Sequence, residues 1–362
     1  MSPARIGLVT AAVFAAVWTS VRALEPTKGM SSATSGETSA EQSQRTGPDS
    51  ARVAQLLTTL EAGDPLVCEI VADQMGNGWW GSSSSGIGRF ADTRTELQSA
   101  RDSLSGRITH AGTQQMLIAR LASPNSCVRR AAARMLGRSR IETSRLVALL
   151  DHESPLVREA AAFALGSGEK RVARGPLENM LARRGPAEAA MAAWALAEED
   201  NPESAPALER SLRHSDARVR RASAYALGEL ALLRSLTPLS EALADRDAEV
   251  QYAAARAIGE LDDLEHPPAA LIAAVKSSDR KLARISALVL ADLHDPATLD
   301  VLLTLADMDD RDVRRQVAEA LGEIGSIKAN PALMRLLKDA DADVRRAAAE
   351  ALGELRENAS RD

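Results

Sequence analysis

A motif of about fifteen residues recurs down this chain at a nearly constant interval, and that interval decides most of what the chain can become. The clearest copy is Asp341-Ala-Asp-Val-Arg-Arg-Ala-Ala-Ala-Glu-Ala-Leu-Gly-Glu-Leu355. With Val344 as position zero, the equivalents upstream are Val313, Leu282, Val250, Val219, Glu188, Val157 and Val128, at gaps of 31, 31, 32, 31, 31, 31 and 29 residues. Self-similarity at a fixed period of roughly 20–50 residues marks a stacked repeat array and outranks any local propensity. A length of 362 residues would by itself suggest two or three globular domains. A stack instead grows by adding units around one elongated core.

Each unit reads as helix A, turn, helix B. Helix A carries apolar spacings such as Leu146/Leu149/Leu150, Leu239/Leu243 and Leu333/Leu336/Leu337, with Pro176, Pro206, Pro238, Pro268 and Pro331 near its start, where a missing N–H costs little. Three residues before position zero stand Asn125, Ser154, Asp216, Asp247, Asp279, Asp310 and Asp341, all N-cap types able to accept from the free N–H groups that open helix B. The third unit has Gly185-Pro186 instead. Position +8 is Leu or Ile throughout, from Leu136 to Leu352, and position +5 is Ala in every unit, from Ala133 to Ala349. Small residues there let neighbouring helices approach closely. Position +9 is Gly in six units and is expected to stop helix B. Aromatics are only 2% of the chain, which suits closely packed Ala/Leu helices and leaves little for a compact globular core.

The pattern Val, Arg, Ala-Ala, Ala-Leu-Gly resembles HEAT-like repeats of the short kind found in phycobilin lyases and related bacterial proteins, from Thr113 to about Arg356. The resemblance implies an all-α fold, an α-solenoid of about eight two-helix repeats. It also implies that the +1 arginines, Arg129, Arg158, Arg220, Arg314 and Arg345, pair with turn aspartates in a ladder along the stack. Asp245 and Asp339 stand at the partner position, which His152 and His214 take in two units.

The N-terminus reads differently. Residues 1–23 resemble a secretory signal, with Arg5 before the apolar run Ile6–Val21 and small residues flanking Arg22. The run is short for a membrane-spanning helix, so the expected product is secreted or periplasmic without stable membrane insertion; an uncleaved N-terminal anchor is the alternative. Cleavage removes two positive charges and takes the formal net charge from −6 to −8, an acidic balance that argues against nucleic acid as a partner. Residues 24–50, rich in Ser, Thr and Gly, read as a flexible linker. Residues 51–111 read as a helical cap for the array at 112–356, and 357–362 as a tail. The cap places Val53, Leu56, Leu57 and Leu60 on one helical face and contains a Gly/Ser loop with Trp79 and Trp80. That loop lacks the Gly-Lys-Ser/Thr ending of a phosphate cradle. Trp79 and Trp80 either cover the end of the first repeat or form a secondary contact for a sugar ring or peptide. Cys68 and Cys127 either form a disulfide stapling cap to array or remain separate thiols.

Positions +2 and +6 lie one turn apart on helix B. They put Phe163, Trp194 and Tyr225 in one register in three consecutive units, with Tyr252, Arg130, Arg134, Arg221 and Arg256 continuing the row. These four are all the aromatics of the array. One reading has Trp194 filling space in the degenerate third unit, beside Ala189 and Ala190; the other is a groove for a protein or extended peptide, where aromatics and arginine concentrate. On the groove reading, Trp194→Ala with Tyr225→Ala abolishes capture at little thermal cost. The last units, with Arg315–Glu319 and Arg346–Glu350, read as solvated scaffold. No catalytic or metal motif stands out: there is no His-Glu-x-x-His, no Gly-x-Ser-x-Gly and no Cys cluster, and no cofactor is expected. Deoxyhypusine hydroxylase, another HEAT-like family, binds iron through repeated His-Glu pairs, whereas here the single pair His152-Glu153 falls in a turn. The leading expectation is an exported, non-enzymatic scaffold that associates with a protein, an envelope or membrane protein included. The alternatives are a phycobilin-lyase-like enzyme handling a bound small molecule, and an envelope sugar binder.

Overall fold

The computed structural model describes residues 53, 54, 57, 58, 61, 108–168 and 172–359. Residues 1–50, expected to be a signal and linker, most of the expected cap, Cys68, Trp79 and Trp80 lie outside them. The described parts of the chain fall into two compact units that meet at Leu177/Glu178. Sixteen α-helices and no strand occur among the described residues, in the helix A, turn, helix B order that the period requires.

The first unit holds α1 (Ala111–Arg120), α2 (Ser126–Arg138), α3 (Thr143–Ala148, continued by a 3-10 turn over Leu149–Asp151) and α4 (Pro155–Gly166), with α5 (Arg174–Arg183) crossing the division. The second holds α6 (Pro186–Glu198), α7 (Ala205–Ser211), α8 (Ala217–Glu229), α9 (Leu236–Ala242), α10 (Ala248–Gly259), α11 (Ala269–Ala274), α12 (Arg280–Asp292), α13 (Leu299–Leu305), α14 (Arg311–Ile324), α15 (Asn330–Leu336) and α16 (Ala342–Ala359). Even-numbered helices are the B helices. Within the first unit α2 packs on α4; within the second α6, α8, α10, α12, α14 and α16 pack in sequence, each of the last five also against its own helix A. This is an all-α solenoid. Of the cap, Val53 and Leu57 are helical and fully buried, and the Glu61 carboxylate meets Arg120 of α1 at 3.1 Å.

The core is a row of small and branched side chains on the B helices. Val128, Val219, Val250, Val313 and Val344 are all fully buried, as are the +5 alanines from Ala133 to Ala318. Ala349, in α16, is exposed. The expected N-caps form. Asn125, Asp216, Asp247, Asp279, Asp310 and Asp341 accept from backbone N–H groups two or three residues on, at 2.9–3.4 Å. Ser154 makes no such side-chain bond, and in the third unit the Glu188 carboxylate reaches back to the Gly185 N–H at 3.2 Å.

Two of the six +9 glycines end their helices, Gly166 in α4 and Gly259 in α10, but four do not: Gly137, Gly228, Gly322 and Gly353 lie within theirs. In five corners of the second unit the chain turns at a left-handed residue: Asp200, Ala231, Asp263, His294 or Gly325, with φ between 48° and 69°. The glycines are notches instead. A Cβ on Gly228 would stand 2.9 Å from Cα of Ala257, and one on Gly322 would stand 2.8 Å from Cα of Ala351. Each notch receives position +7 of the next helix B.

Candidate partner-binding face

The turn before each helix B is held by a repeated set of polar contacts. Position −5 accepts from the N–H of position −3 whether it is Ser123, His152, His214, Asp245, Ser277 or Asp339. The +1 arginine then reaches back to its own turn: Arg129, Arg158, Arg220, Arg314 and Arg345 each give one nitrogen to two backbone carbonyls at 2.7–3.0 Å. Where the next unit offers an aspartate, the rest of the guanidinium clamps it. Arg220 holds Asp245 at 2.7 and 2.8 Å, and Arg314 holds Asp339 at 2.7 and 3.0 Å. Arg220 and Arg314 are therefore rungs of an internal ladder, and all five arginines are spent on their own turns.

The aromatic row expected at the surface is mostly inside. Phe163, Trp194 and Tyr252 are only 5%, 6% and 8% exposed, and Tyr225 alone keeps partial exposure. The physical cause is specific at each place. The guanidinium of Arg134 on α2 lies over the Phe163 ring of α4, 5.5 Å from its centroid, so these two satisfy each other. Lys281 of α12 sits 4.1 Å over the Tyr252 ring, while the Tyr252 hydroxyl donates to Asp279, the cap of α12. That hydrogen bond, followed by burial, pushes the phenol up to about 12, and the same bond lowers the Asp279 carboxyl. Around Trp194, α6 offers Ala189, Ala190, Ala192, Ala193 and Ala195, and the indole is the large side chain of a helix built from small ones. Its burial corrects the expectation that Trp194→Ala is thermally silent, because emptying such a site costs about 3–5 kcal/mol.

What the face keeps at its surface lies chiefly on α8 and α10. Arg221 and Tyr225 are half-buried and Arg256 is exposed; in the first unit Arg130 and Arg134 are half-buried. Burial raises the Tyr225 phenol, reinforced by the charge of Glu229 and its hydrogen bond, and then by Glu198 and Glu260. Further along, the +2 arginines are taken: Arg284 by Asp310 and Asp312, Arg315 by Glu319, Arg346 by Asp343. Cys127 is buried and disulfide-bonded, in the first turn of α2 and not in the inter-helix turn where sequence placed one half of the staple. Among the described residues no three His, Cys, Asp or Glu side chains gather to hold a metal ion, and no helix is long and apolar enough to cross a membrane.

A family model described as HEAT repeats matches residues 114–185, 176–259, 236–321 and 307–362. The chain belongs to the HEAT-repeat family. Three solved structures place this HEAT-repeat chain among its neighbours. YibA of Escherichia coli aligns with a TM-score of 0.54 at 22% identity, over 67% of this chain and 92% of that one. An engineered protein aligns at 0.48 and 21%, over 94% and 98%. The complex of CpcE and CpcF of phycocyanin lyase from Nostoc sp. PCC7120 aligns at 0.38 and 21%, over 67% and 94%. At such identities the YibA likeness speaks for the fold alone. No curated protein matches the chain.

Sequence reasoning located the ladder and the caps. It missed the cations that cover Phe163 and Tyr252, although Lys281 stands one residue before the zero position of the next unit, a spacing open to inspection.

Proposed function

We propose that this chain is an exported, non-enzymatic HEAT-repeat scaffold that holds a protein or extended peptide on its helix-B face. The observation that carries the reading is the selective exposure of Arg221, Tyr225 and Arg256 on the adjacent helices α8 and α10, while Trp194 and Tyr252 beside them are withdrawn. Two guanidinium groups flanking a half-exposed phenol offer hydrogen bonding and stacking at once, the composition typical of a binding centre. The apolar run at residues 6–21 supports export.

The test is affinity capture from an envelope fraction with the intact chain and with Arg221→Ala/Tyr225→Ala/Arg256→Ala. The triple variant is expected to lose its specific partner while keeping its thermal midpoint. Undiminished capture by the variant would remove this face from consideration.

A further inference from the structure

A second surface runs along the corners where each helix B passes into the next helix A. At position +14 of five consecutive units in the second half stand Pro202, Leu233, Leu264, Pro296 and Ile327. Four of them open the 3-10 turn that leads into helix A. These positions face outward: Leu233 is 44% exposed, Ile327 is 74% exposed, Pro202 and Pro296 are exposed and Leu264 is half-buried. Pro202 and Pro296 suit the first position of their 3-10 turns, whereas Leu233 and Ile327 are large apolar side chains kept largely in solvent.

Four residues before each stands an acid. Position +10 is Glu198, Glu229, Glu260, Asp292 and Glu323, and Glu354 continues the row; all six are exposed. In the first two repeats the position is Arg138 and Ser167. Carboxylates at the C-terminal end of a helix oppose its macrodipole and cost roughly 0.3–1 kcal/mol each. Among the described residues no lysine or arginine lies within ion-pair distance of Glu229, Glu260 or Asp292; Glu229 takes the Tyr225 hydroxyl, and Glu323 has His294 at 3.4 Å. From residue 178 onward the sequence holds 34 Asp and Glu against 24 Lys and Arg. Consecutive B helices spaced about 8–10 Å apart turn these positions into two parallel stripes, one apolar and one acidic.

We propose that this corner ridge of the second unit docks a basic amphipathic segment of a partner protein, whose apolar side chains lie on the +14 row and whose lysines or arginines face the +10 row. The charge sign selects this occupant, since an acidic ridge repels anionic lipid surfaces and nucleic acid alike. The ridge borders the helix-B face, where its Glu229 holds the Tyr225 hydroxyl, but it includes neither Arg221 nor Arg256 and stands without the helix-B reading.

The probe is a fluorescein-labelled amphipathic helical peptide of lysine and leucine, titrated with the full chain by fluorescence anisotropy. Its glutamate-for-lysine analogue is the comparison. The lysine peptide is expected to bind, more weakly as salt rises, and the glutamate analogue is expected not to bind. Glu260→Lys/Asp292→Lys and, separately, Leu233→Ser/Ile327→Ser are each expected to weaken binding at least about tenfold, a change of about 1.4 kcal/mol. All four positions have solvent access, so the melting curve of each double variant should match that of the parent. Arg221→Ala/Arg256→Ala, which leaves the Tyr225–Glu229 bond in place, is expected to bind the peptide as the parent does. Parent-like binding by the serine variant would reduce the effect to bulk charge and overturn the proposal, as would parent-like binding by the lysine variant or no binding to the parent. Equal loss in the Arg221→Ala/Arg256→Ala variant would move the peptide to the helix-B face and overturn it too. Intact peptide binding beside failed envelope capture would sink only the helix-B reading.

Discussion

Arg220 and Asp245 are joined by two parallel hydrogen bonds, at 2.7 and 2.8 Å, across consecutive units of the array. Their side chains are only 5% and 11% exposed, and the remaining Arg220 nitrogen binds the carbonyls of His214 and Ser215. Every nitrogen of that buried cation is thus hydrogen-bonded. Asp245→Ala leaves the guanidinium buried without its counter-charge and is expected to cost about 3–5 kcal/mol. Glu241→Ala removes the exposed pair with Arg213, 78% and 60% accessible, and is expected to cost under about 1 kcal/mol. Urea midpoints of the two variants check the contrast; similar midpoints would deny the ladder its role.

The same carboxylates set the response to acid. The Arg218 hydrogen bond, with the Arg218 backbone N–H, holds Asp216 at about 2. Arg314 lowers Asp339. At Asp245 burial pushes upward, but the Arg220 bonds and the Asp247 N–H outweigh it and the carboxyl is lowered. A folded value below the unfolded value near about 3.9 means the stabilisation is present above that pH and is lost as pH falls through the folded value. The thermal midpoint is therefore expected to fall progressively from about pH 4 toward about pH 2. Asp339→Asn should show a shallower fall over that range. An identical slope in the variant would assign the acid sensitivity elsewhere.

Glycine at position +9 offers a test in which one substitution has two outcomes. Gly228→Ala drives a methyl into α10, with Cα of Ala257 at 2.9 Å, and overpacking of this kind costs about 1–3 kcal/mol. Gly353 has nothing within 4 Å of the same built atom. There the better helix propensity of alanine is expected to stabilise α16 by up to about 1 kcal/mol. Calorimetric midpoints that move in opposite directions would establish the notch; both rising would mean that Gly228 has room.

Nearly all of the fold was legible because its information is periodic. Val344 and its equivalents fix the register, and Asp216, Asp247 and Asp310 announce helix starts whose geometry depends only on the residues that follow. The Arg220–Asp245 contact was legible for the same reason, being one contact repeated along a stack. The helix-B face was less so. Whether Tyr252 faces a partner or the protein depends on Lys281 and Asp279, 29 and 27 residues away, and on their side-chain directions. Hydrophobic pattern does not encode those directions. The helix stop was right at Gly166 and Gly259 and misplaced at Gly228 and Gly322, because glycine serves both at helix ends and as a close-approach notch, and only the neighbouring helix distinguishes the two uses.

The left-handed corners give the last test. Ala231 holds φ at 53°, its N–H donates to the Gly228 carbonyl at 2.9 Å, and its own carbonyl accepts from the Asp262 N–H of the next corner at 2.8 Å. An L-residue with a Cβ pays about 1–2 kcal/mol in that region, while glycine pays instead in unfolded-state entropy, about 0.5–1 kcal/mol. The difference favours glycine where the contacts stay in place, as they do for a corner bonded through its backbone. Ala231→Gly is thus expected to raise stability by up to about 1 kcal/mol, and Gly325→Ala, at φ 69°, to lower it by a similar amount. Thermal midpoints of the two single variants check this. A fall for Ala231→Gly would mean that the alanine methyl makes contacts worth more than the strain it carries, and the corner would then be stabilised by packing more than by its backbone bonds.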